Sequence, residues 1–457
     1  MNDYQEFIER KTLIDSPTGF EPGEINPALF PWQAEIVKYA CMRGRFGGYE
    51  DCGLGKSIQQ LESARLINEH TGLPVLILAP LAVAEQTKRE ARKFDIQAEV
   101  RVCKDQSHVG DCINVANYER LHLFDPSQFG GVLLDEGSIL KSVDGKTRGT
   151  LLSEWQCVPF RQSWSATPAP NDFMEIGNQA EFLGVMKRSE MLASFFVHDG
   201  GDTSKWRLKG HARDAFWRWM ASWCVMVRRP SDLGHPNDGY DLPAIDYHEH
   251  YTQATAAPGQ LFALNASTLS ERRGARRTSL KDRCAKAAEL ATNDQPCVIW
   301  CNLNDEGTLL EKLIPDAVEV AGRHTIEQKE ERLAAFTAGD IRCLITKPKI
   351  GGFGLNWQHC ANTVIFPTDS WESWYQMVRR FWRFGQERPV NVHAVASESE
   401  VTVIENLKRK EKDAGIMFDG IAAAMSELSV EQIRKTERQT TNYTPTERME
   451  LPRWLTM

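Results

Sequence analysis

The sequence has 457 residues, of which 42% are hydrophobic and 25% are charged. This balance is typical of a globular chain with two or three domains, and it excludes collagen-like, disordered and disulfide-dense mini-proteins. The formal net charge is −8, from 54 basic and 62 acidic residues, so any contact with nucleic acid must come from local basic patches.

The first residues carry charges where a signal peptide needs an apolar stretch, and no run of about 18 apolar residues occurs. We therefore expect a cytoplasmic protein with no membrane contact. The 11 cysteines include no CxxC pair, which favours reduced and mostly buried thiols. His248 and His250 have no third ligand nearby in the sequence, so a metal site there is the less favoured interpretation.

Short apolar runs, separated by stretches with helical spacing, predict parallel sheets with crossover helices. Two runs fall early and four fall late. They are VLILAP (75–80), GVLLDE (131–136), CVIWCN (297–302), RCLIT (342–346), NTVIFP (362–367) and VHAVA (392–396). We therefore predict two α/β lobes.

Residues 186–255 interrupt this pattern with several tryptophans and then a stretch rich in Gly, Pro and Asp, which predicts a helical insertion followed by a linker. The tryptophans are interpreted as core residues, with stacking on nucleic acid as the alternative. They are Trp206, Trp217, Trp219 and Trp223. The end of the chain, from about residue 426, is polar and predicts a loosely ordered tail.

The strongest chemical signal is EDCGLGKSIQQL, residues 50–61. Gly53 and Gly55 allow backbone N–H groups to close around phosphate oxygens, Lys56 can reach the β- and γ-phosphates, and the Ser57 hydroxyl can bind magnesium. The apolar positions that follow have helical spacing, so a helix begins at the anion. Glu50 departs from the general GxxxxGK[ST] pattern, which has glycine there.

An acidic pair follows the second early strand. Asp135 at the end of that strand would hold the magnesium, and Glu136 would orient or deprotonate an attacking water. Without the phosphate loop, the pair would be equally compatible with a solvated turn. A proline-rich segment, SWSATPAPND (163–172), comes next and predicts a stiff loop.

The second half of the chain contains YQMVRRFWRFGQ, residues 375–386. Arg380 and Arg383 are three positions apart, so on a helix both guanidinium groups share one face and could reach a γ-phosphate across a cleft. The alternative is a basic surface face. A glycine-dense loop, KPKIGGFGLN (347–356), precedes this segment and suits close backbone approach to a ligand.

In this order the segments resemble the superfamily-two helicases, and within them the Swi/Snf-type ATP-dependent translocases of double-stranded DNA, in a compact phage-like form. The resemblance covers residues 25 to 415. It is carried by LFPWQ (29–33), EDCGLGKS (50–57), residues 76–94, NYERL (117–121), DEGSILKS (135–142), SATPAPND (165–172), VMVRRPSDL (225–233), GGFGLN (351–356), NTVIFPTDSWES (362–373) and the segment 375–386. The family usually has histidine where Ser138 stands, which puts the coupling between hydrolysis and DNA in question.

The resemblance implies an α/β fold of two tandem RecA-like P-loop lobes, parallel sheets flanked by helices, with a helical insertion and linker between them. The implied divisions are an N-terminal arm (1–24), an ATP-binding lobe (25–185), the insertion and linker (186–255), a C-terminal helicase lobe (256–425) and a tail (426–457).

The resemblance also implies ATP and magnesium as cofactors, held in the cleft between the lobes. The implied nucleotide-binding residues are Gln33 at the adenine edge, Gly53, Leu54, Gly55, Lys56 and Ser57 around the phosphates, and Asp135 at the metal with Ser57. The implied catalytic residues are Lys56, Glu136, Arg380 and Arg383.

The function implied is an ATP-driven motor that moves along double-stranded DNA as a monomer in a bacterial or phage-infected cell. The alternatives are a strand-separating helicase on single-stranded DNA or RNA, and a clamp for nucleic acid or a partner whose ATPase is uncoupled. The tail could dock a partner protein around Trp454. The candidate nucleic-acid contacts are Lys141, Lys347, Lys349, Arg272 and Arg273.

Overall fold

The computed structural model describes residues 17–80, 83–141, 145–199, 202–253, 269–351 and 356–434. These residues form two parallel β-sheets, one from the first half of the chain and one from the second, together with a two-stranded hairpin. Helices flank both sheets. The predicted α/β fold of two lobes with parallel sheets is therefore confirmed.

The front half contains nine of these strands. They are β1 (Arg45–Glu50), β2 (Val75–Ala79), β3 (Val100–Val102), β4 (Ile113–Asn117), β5 (Gly131–Asp135), β6 (Phe160–Ser165), β7 (Phe196–Asp199), β8 (Asp202–Leu208) and β9 (Cys224–Val227). Strands β7 and β8 pair with each other in antiparallel fashion. The other seven form one parallel sheet in the order β3-β4-β2-β5-β6-β1-β9.

The helices of the front half are α1 (Pro31–Arg43), α2 (Lys56–Thr71), α3 (Ala84–Lys93), α4 (Lys146–Ser153), α5 (Ile176–Leu183), α6 (Arg188–Phe195) and α7 (Arg213–Ala221). In the front sheet, β1 and β5 lie on either side of β6 and all three run parallel. Because parallel strands end at the same edge of a sheet, the segments after β1 and β5 meet there.

The rear sheet has six parallel strands in the order β10-β15-β14-β11-β13-β12. They are β10 (Ile245–Thr252), β11 (Cys297–Trp300), β12 (Ala317–Val320), β13 (Cys343–Thr346), β14 (Asn362–Ile365) and β15 (Val390–Ser397). The helices are α8 (Leu269–Thr278), α9 (Leu280–Ala291), α10 (Asn304–Leu313), α11 (Ile326–Ala338), α12 (Pro348–Gly351), α13 (Trp371–Val378) and α14 (Val401–Arg434).

All six predicted strands are present, and their continuous apolar character follows from burial on both faces. Along β2, Leu76 and Leu78 pack into one core cluster of the front lobe, whereas Val75 and Ile77 pack into the other. Successive side chains of a strand point to opposite faces, so a strand between two helical layers needs apolar residues at every position.

Strand β6 escaped prediction because it is polar yet buried. Gln162 and Ser163 of β6 have no exposed surface. Their polar atoms are paired, since Ser63 Oγ donates to Gln162 Oε1 at 3.0 Å and Ser163 Oγ donates to Gln179 Oε1 at 2.7 Å. A buried polar group is tolerated when it is hydrogen-bonded, and hydrophobicity alone cannot reveal such a strand.

The range 186–255 holds two helices, the β7–β8 hairpin and one edge strand for each sheet. Strand β9 pairs with β1 of the front sheet, and β10 pairs with β15 of the rear sheet. Trp217, Trp219 and Trp223 are at most 4% exposed, so the core interpretation of these tryptophans is confirmed. The domain boundaries themselves stay a prediction.

The long helix α14 packs into both halves of the molecule. Ile404 and Leu407 lie in the core of the rear lobe, whereas Met417, Phe418 and Ile421 lie in the front core. The helix continues to Arg434, past the start of the predicted tail, and the proposed partner site at Trp454 lies outside the described residues. In the described part of the chain, no helix is long and apolar enough to cross a bilayer.

Candidate functional site

The phosphate loop runs from Asp51 to Gly55, between β1 and α2. Gly53 and Gly55 have positive φ angles of 92° and 82°, which residues with a side chain rarely adopt. A Cβ at Gly55 would lie 2.5 Å from Gln33 Nε2, and one at Gly53 would lie 3.0 Å from the backbone nitrogen of Phe384. The loop therefore requires both glycines. The missing side chain at Gly53 allows Phe384 of the rear half to approach the loop closely.

Lys56 and Ser57 form the first turn of α2, whose amino-terminal end carries a partial positive charge that favours phosphate. The Lys56 ammonium donates to the carbonyl oxygens of Glu50 at 2.8 Å and Asp51 at 3.1 Å. These bonds hold the ammonium against the loop, at the cavity that Ser57 also lines.

Gln33 fixes the loop from helix α1. Its Nε2 donates to the Leu54 carbonyl at 2.8 Å, and its Oε1 accepts from the Phe30 backbone at 3.0 Å. Both ends of the amide are therefore engaged with backbone, while the residue still lines the cavity. Leu54 itself packs into the front core and contributes its backbone to the loop.

The acidic pair lies at the end of β5, beside the loop. Asp135 Oδ1 accepts from Gln60 Nε2 at 2.9 Å. Glu136 has a φ of 54°, a strained angle for a residue with a side chain. Within the described part of the chain, its Oε2 is buried without a hydrogen-bond partner. Burial and the adjacent Asp135 carboxylate raise the pKa of Glu136 above its usual range.

Arg380 and Arg383 reach the same cavity from the rear half. Arg380 is 4% exposed, and its Nε donates to the Gln376 carbonyl at 3.1 Å. Burial, together with the neighbouring Arg380, lowers the pKa of Arg383 to about 10. Arg383 is half-buried, and the two neighbouring guanidinium groups repel each other, so this wall of the cavity favours an anion.

The cavity between the two halves has a volume of about 430 Å³, within the range of small-molecule sites. Nine of the predicted residues line it together: Gln33, Gly53, Gly55, Lys56, Ser57, Asp135, Glu136, Arg380 and Arg383. The segments that supply them are far apart in the sequence, and the two sheets bring them to one place.

No family model matches this sequence, and no curated protein matches it. Among solved structures, the chain is similar to the Sulfolobus solfataricus SWI2/SNF2 ATPase core in complex with double-stranded DNA, with 19% sequence identity and a TM-score of 0.43. The match covers 91% of this chain and 98% of that chain. The function proposed below rests on the site geometry.

Several cavity residues carried no recognisable signal in the sequence. Tyr240 and Phe384 line the cavity, and their rings lie 4.8 Å apart. Tyr240 comes from the irregular linker, where no periodic pattern marks a residue for a site. Phe384 directly follows Arg383, so a search of the residues beside the predicted arginines would have found it.

The predicted nucleic-acid residues lie in different surroundings. Lys141 forms an ion pair with Glu372 of the rear half. Lys347 donates to Asn304 Oδ1 at 2.5 Å, whereas Lys349 is exposed on α12. Arg272 and Arg273 belong to α8, but their side chains are not among those that the structure describes. Residues 352–355 of the glycine-dense loop also lie outside the described residues. Their contact with nucleic acid stays a prediction.

Glu50, the departure from the usual loop pattern, is a buried carboxyl group. It has no exposed surface, and its Oε2 accepts from Gln59 Nε2 at 2.8 Å. Burial raises the pKa of Glu50 from 4.5 to about 7, although Lys56 and Gln59 oppose the shift. The folded protein therefore holds this proton more tightly than the unfolded chain does.

We expect Glu50→Gln to be more stable than the wild type at pH 8 and nearly equal to it at pH 5. As the pH rises from 4.5 to about 7, the wild type loses the stability linked to the tightly held proton, by up to about 3 kcal/mol. Glutamine does not ionise and keeps the bond to Gln59. Urea unfolding at both pH values measures the difference, with Glu330→Gln, an exposed carboxyl on α11, as the control. A difference that does not change with pH would contradict the buried proton.

Proposed function

We propose that this chain is an ATP hydrolase that binds ATP and magnesium between its two lobes. Its ATP turnover depends on nucleic acid. The observation that carries the proposal is the shared cavity. It has Lys56 and the two-glycine loop on one wall and Arg380 with Arg383 on the other. A triphosphate between these walls would meet positive charge from both halves of the chain.

Each wall suits one part of phosphoryl transfer. The loop amides and Lys56 bind the phosphates of the substrate. The Oε2 of Glu136, which has no hydrogen-bond partner among the described residues, accepts the proton of the attacking water. The raised pKa of Glu136 makes this carboxylate a stronger base than usual. Arg380 and Arg383 stabilise the charge that develops on the transferred group.

The residues present fit a magnesium ion. The Ser57 hydroxyl and the Asp135 carboxylate lie on the same cavity and are hard oxygen donors. Magnesium in nucleotide sites usually takes only one or two protein oxygens and completes its shell with phosphate and water. Burial raises the pKa of Asp135, so a nearby cation would stabilise its charged form.

We further propose that double-stranded DNA is the polymer on which the motor moves. ATP binding would draw the two walls together, hydrolysis would release them, and each cycle would shift the grip on the phosphates of one strand. Lys349 is an exposed candidate for that grip. The test compares ATP turnover with duplex DNA, single-stranded DNA and RNA, followed by displacement of a triplex-forming third strand.

The result separates the candidates. Stimulation by duplex DNA with displacement of the third strand supports the translocase. Preference for single strands favours a strand-separating helicase. Turnover that responds to no polynucleotide favours an uncoupled clamp, and the absence of turnover with any nucleoside triphosphate contradicts the proposal.

We expect stimulation by DNA to weaken steeply with salt. The net charge of −8 means that local lysines and arginines must hold the DNA phosphates. Neutralising three phosphates makes the apparent affinity fall about 40-fold between 50 and 200 mM salt, because bound counterions are released. Titration of turnover with DNA at several salt concentrations measures the slope, and turnover without DNA is the control. A flat response would contradict contacts with the phosphates.

A further inference from the structure

A half-buried ion pair joins the phosphate loop to the segment that carries Arg380 and Arg383. Arg379 Nη2 donates to Asp51 Oδ2 at 2.8 Å, and both side chains are only 13% exposed. The Tyr375 hydroxyl donates to the other oxygen of the same carboxylate. These residues are 328 and 324 positions from Asp51, so both contacts join the front half to the rear half.

Both partners of this pair are held in place. The Arg379 guanidinium lies 4.7 Å from the centre of the Tyr375 ring and 4.1 Å from that of the Trp382 ring. A planar cation between two aromatic rings and a carboxylate has little freedom to reorient. On the other side, the backbone nitrogen of Asp51 donates to the Val227 carbonyl of β9 at 2.9 Å.

The pair is directly connected to the groups proposed for hydrolysis. The Asp51 carbonyl accepts from Lys56 Nζ at 3.1 Å. Arg379 caps the carboxyl end of helix α13 and immediately precedes Arg380. Arg380 and Arg383 lie in the turn that follows this helix, not on a helix as the sequence predicted. A displacement of Arg379 relative to Asp51 would therefore change the distance from Lys56 to Arg380 and Arg383.

We propose that Asp51 is a positioning residue that sets Arg380 and Arg383 over the phosphate loop through its contacts with Arg379 and Tyr375. Asp51 does not belong to the residues that line the nucleotide cavity, so it acts through these partners and not on the nucleotide. The inference rests on the proposed function for its catalytic consequence, but the anchoring of the rear segment can be measured without catalysis.

The first test is kinetic. Asp51→Asn keeps the shape of the side chain but leaves Arg379 without its counter-charge. Arg380 and Arg383 are then no longer held in position over the phosphate loop. Because a misplacement of about 1 Å can cost a factor of about 100, we expect kcat to fall about 100-fold. We expect the Kd for ATP to change by less than about 3-fold, which is below 0.7 kcal/mol.

A double-mutant cycle tests whether the two residues act as one unit. Arg379→Met should reduce kcat about as much as Asp51→Asn, and the double variant should be no worse than the poorer single variant. The matched control is Asp419→Asn, which removes a more exposed carboxylate from its 3.0 Å pair with Arg228. We expect kcat of this control to stay within a factor of about 2.

The second test needs no turnover. Hydrogen exchange measured by mass spectrometry should show faster exchange in peptides that span 376–386 in Asp51→Asn, and no change there in Asp419→Asn. If the wild type hydrolyses no nucleoside triphosphate, the proposed function fails and this exchange measurement alone decides the inference. Unchanged exchange in 376–386, unchanged kcat in an active enzyme, a matching loss of ATP affinity or additive kcat losses would each overturn it.

Discussion

We expect Lys56→Ala to reduce the rate of ATP turnover about 1,000-fold. We also expect its affinity for ATP to fall about 10- to 100-fold. The lysine is the cation of the loop wall, and its ammonium already lies against the loop through the carbonyls of Glu50 and Asp51. Removal of a charge-assisted bond to phosphate weakens the ground state, and removal of its charge weakens the transition state further. Turnover assays and nucleotide titration measure the two losses separately.

The matched control for this variant is Lys38→Ala. Lys38 pairs with Glu21 at 3.0 Å on the surface, with side-chain exposures of 34% and 60%, so its removal should leave turnover unchanged. Both variants should keep nearly the wild-type Tm, because the Lys56 ammonium faces a cavity and the two carbonyls that it leaves can bind water. Lys56→Ala with normal affinity and turnover would contradict a phosphate role for the loop.

Arg383→Ala should separate binding from hydrolysis. We expect ATP affinity to stay within about 3-fold, whereas the rate of hydrolysis falls about 10³- to 10⁵-fold, as for other arginines that stabilise a transferring phosphoryl group. The Tm should stay equal or rise, since Arg383 is a half-buried cation beside another cation, and desolvation lowers its pKa to about 10. Single-turnover kinetics and nucleotide titration give the two values.

The control comes from the same segment. Arg388 is exposed and donates to the His359 carbonyl, away from the cavity, so Arg388→Ala should hydrolyse ATP normally. A collapse of ATP affinity in Arg383→Ala would mean that this arginine is structural or binds the ground state. A lowered Tm in that variant would contradict the view that the free protein holds Arg383 at a cost in stability.

The strands show when hydrophobicity in the sequence predicts a β-strand and when it does not. The run that became β2 was recognisable because helices cover both of its faces, so every residue from Val75 to Ala79 is apolar. The strand that became β6 was not recognisable because Gln162 and Ser163 are buried through hydrogen bonds to Ser63 and Gln179. Those partners come from other helices, and pairing across the fold leaves no local signature.

The site was predictable where function depends on a short local geometry. The loop requires positive φ at Gly53 and Gly55 and a helix that begins at Lys56. Residues that are close together in the sequence meet both requirements, so the pattern can be recognised locally. The pair of Asp51 and Arg379 was not predictable, because nothing in the two segments that contain these residues indicates that they touch. Only the approach of the two halves gives them a common role.

The sequence by itself determined which glycines and charged side chains stand on each wall of the cavity, because a two-glycine loop before a helix and a pair of spaced arginines depend on neighbours within a few residues. Only the tertiary structure decided that the two walls face each other, that Glu50 is buried with a raised pKa and that Tyr240 borders the site. Those properties arise from burial and from distances between segments that are hundreds of residues apart. Neither quantity is contained in the local order of the amino acids.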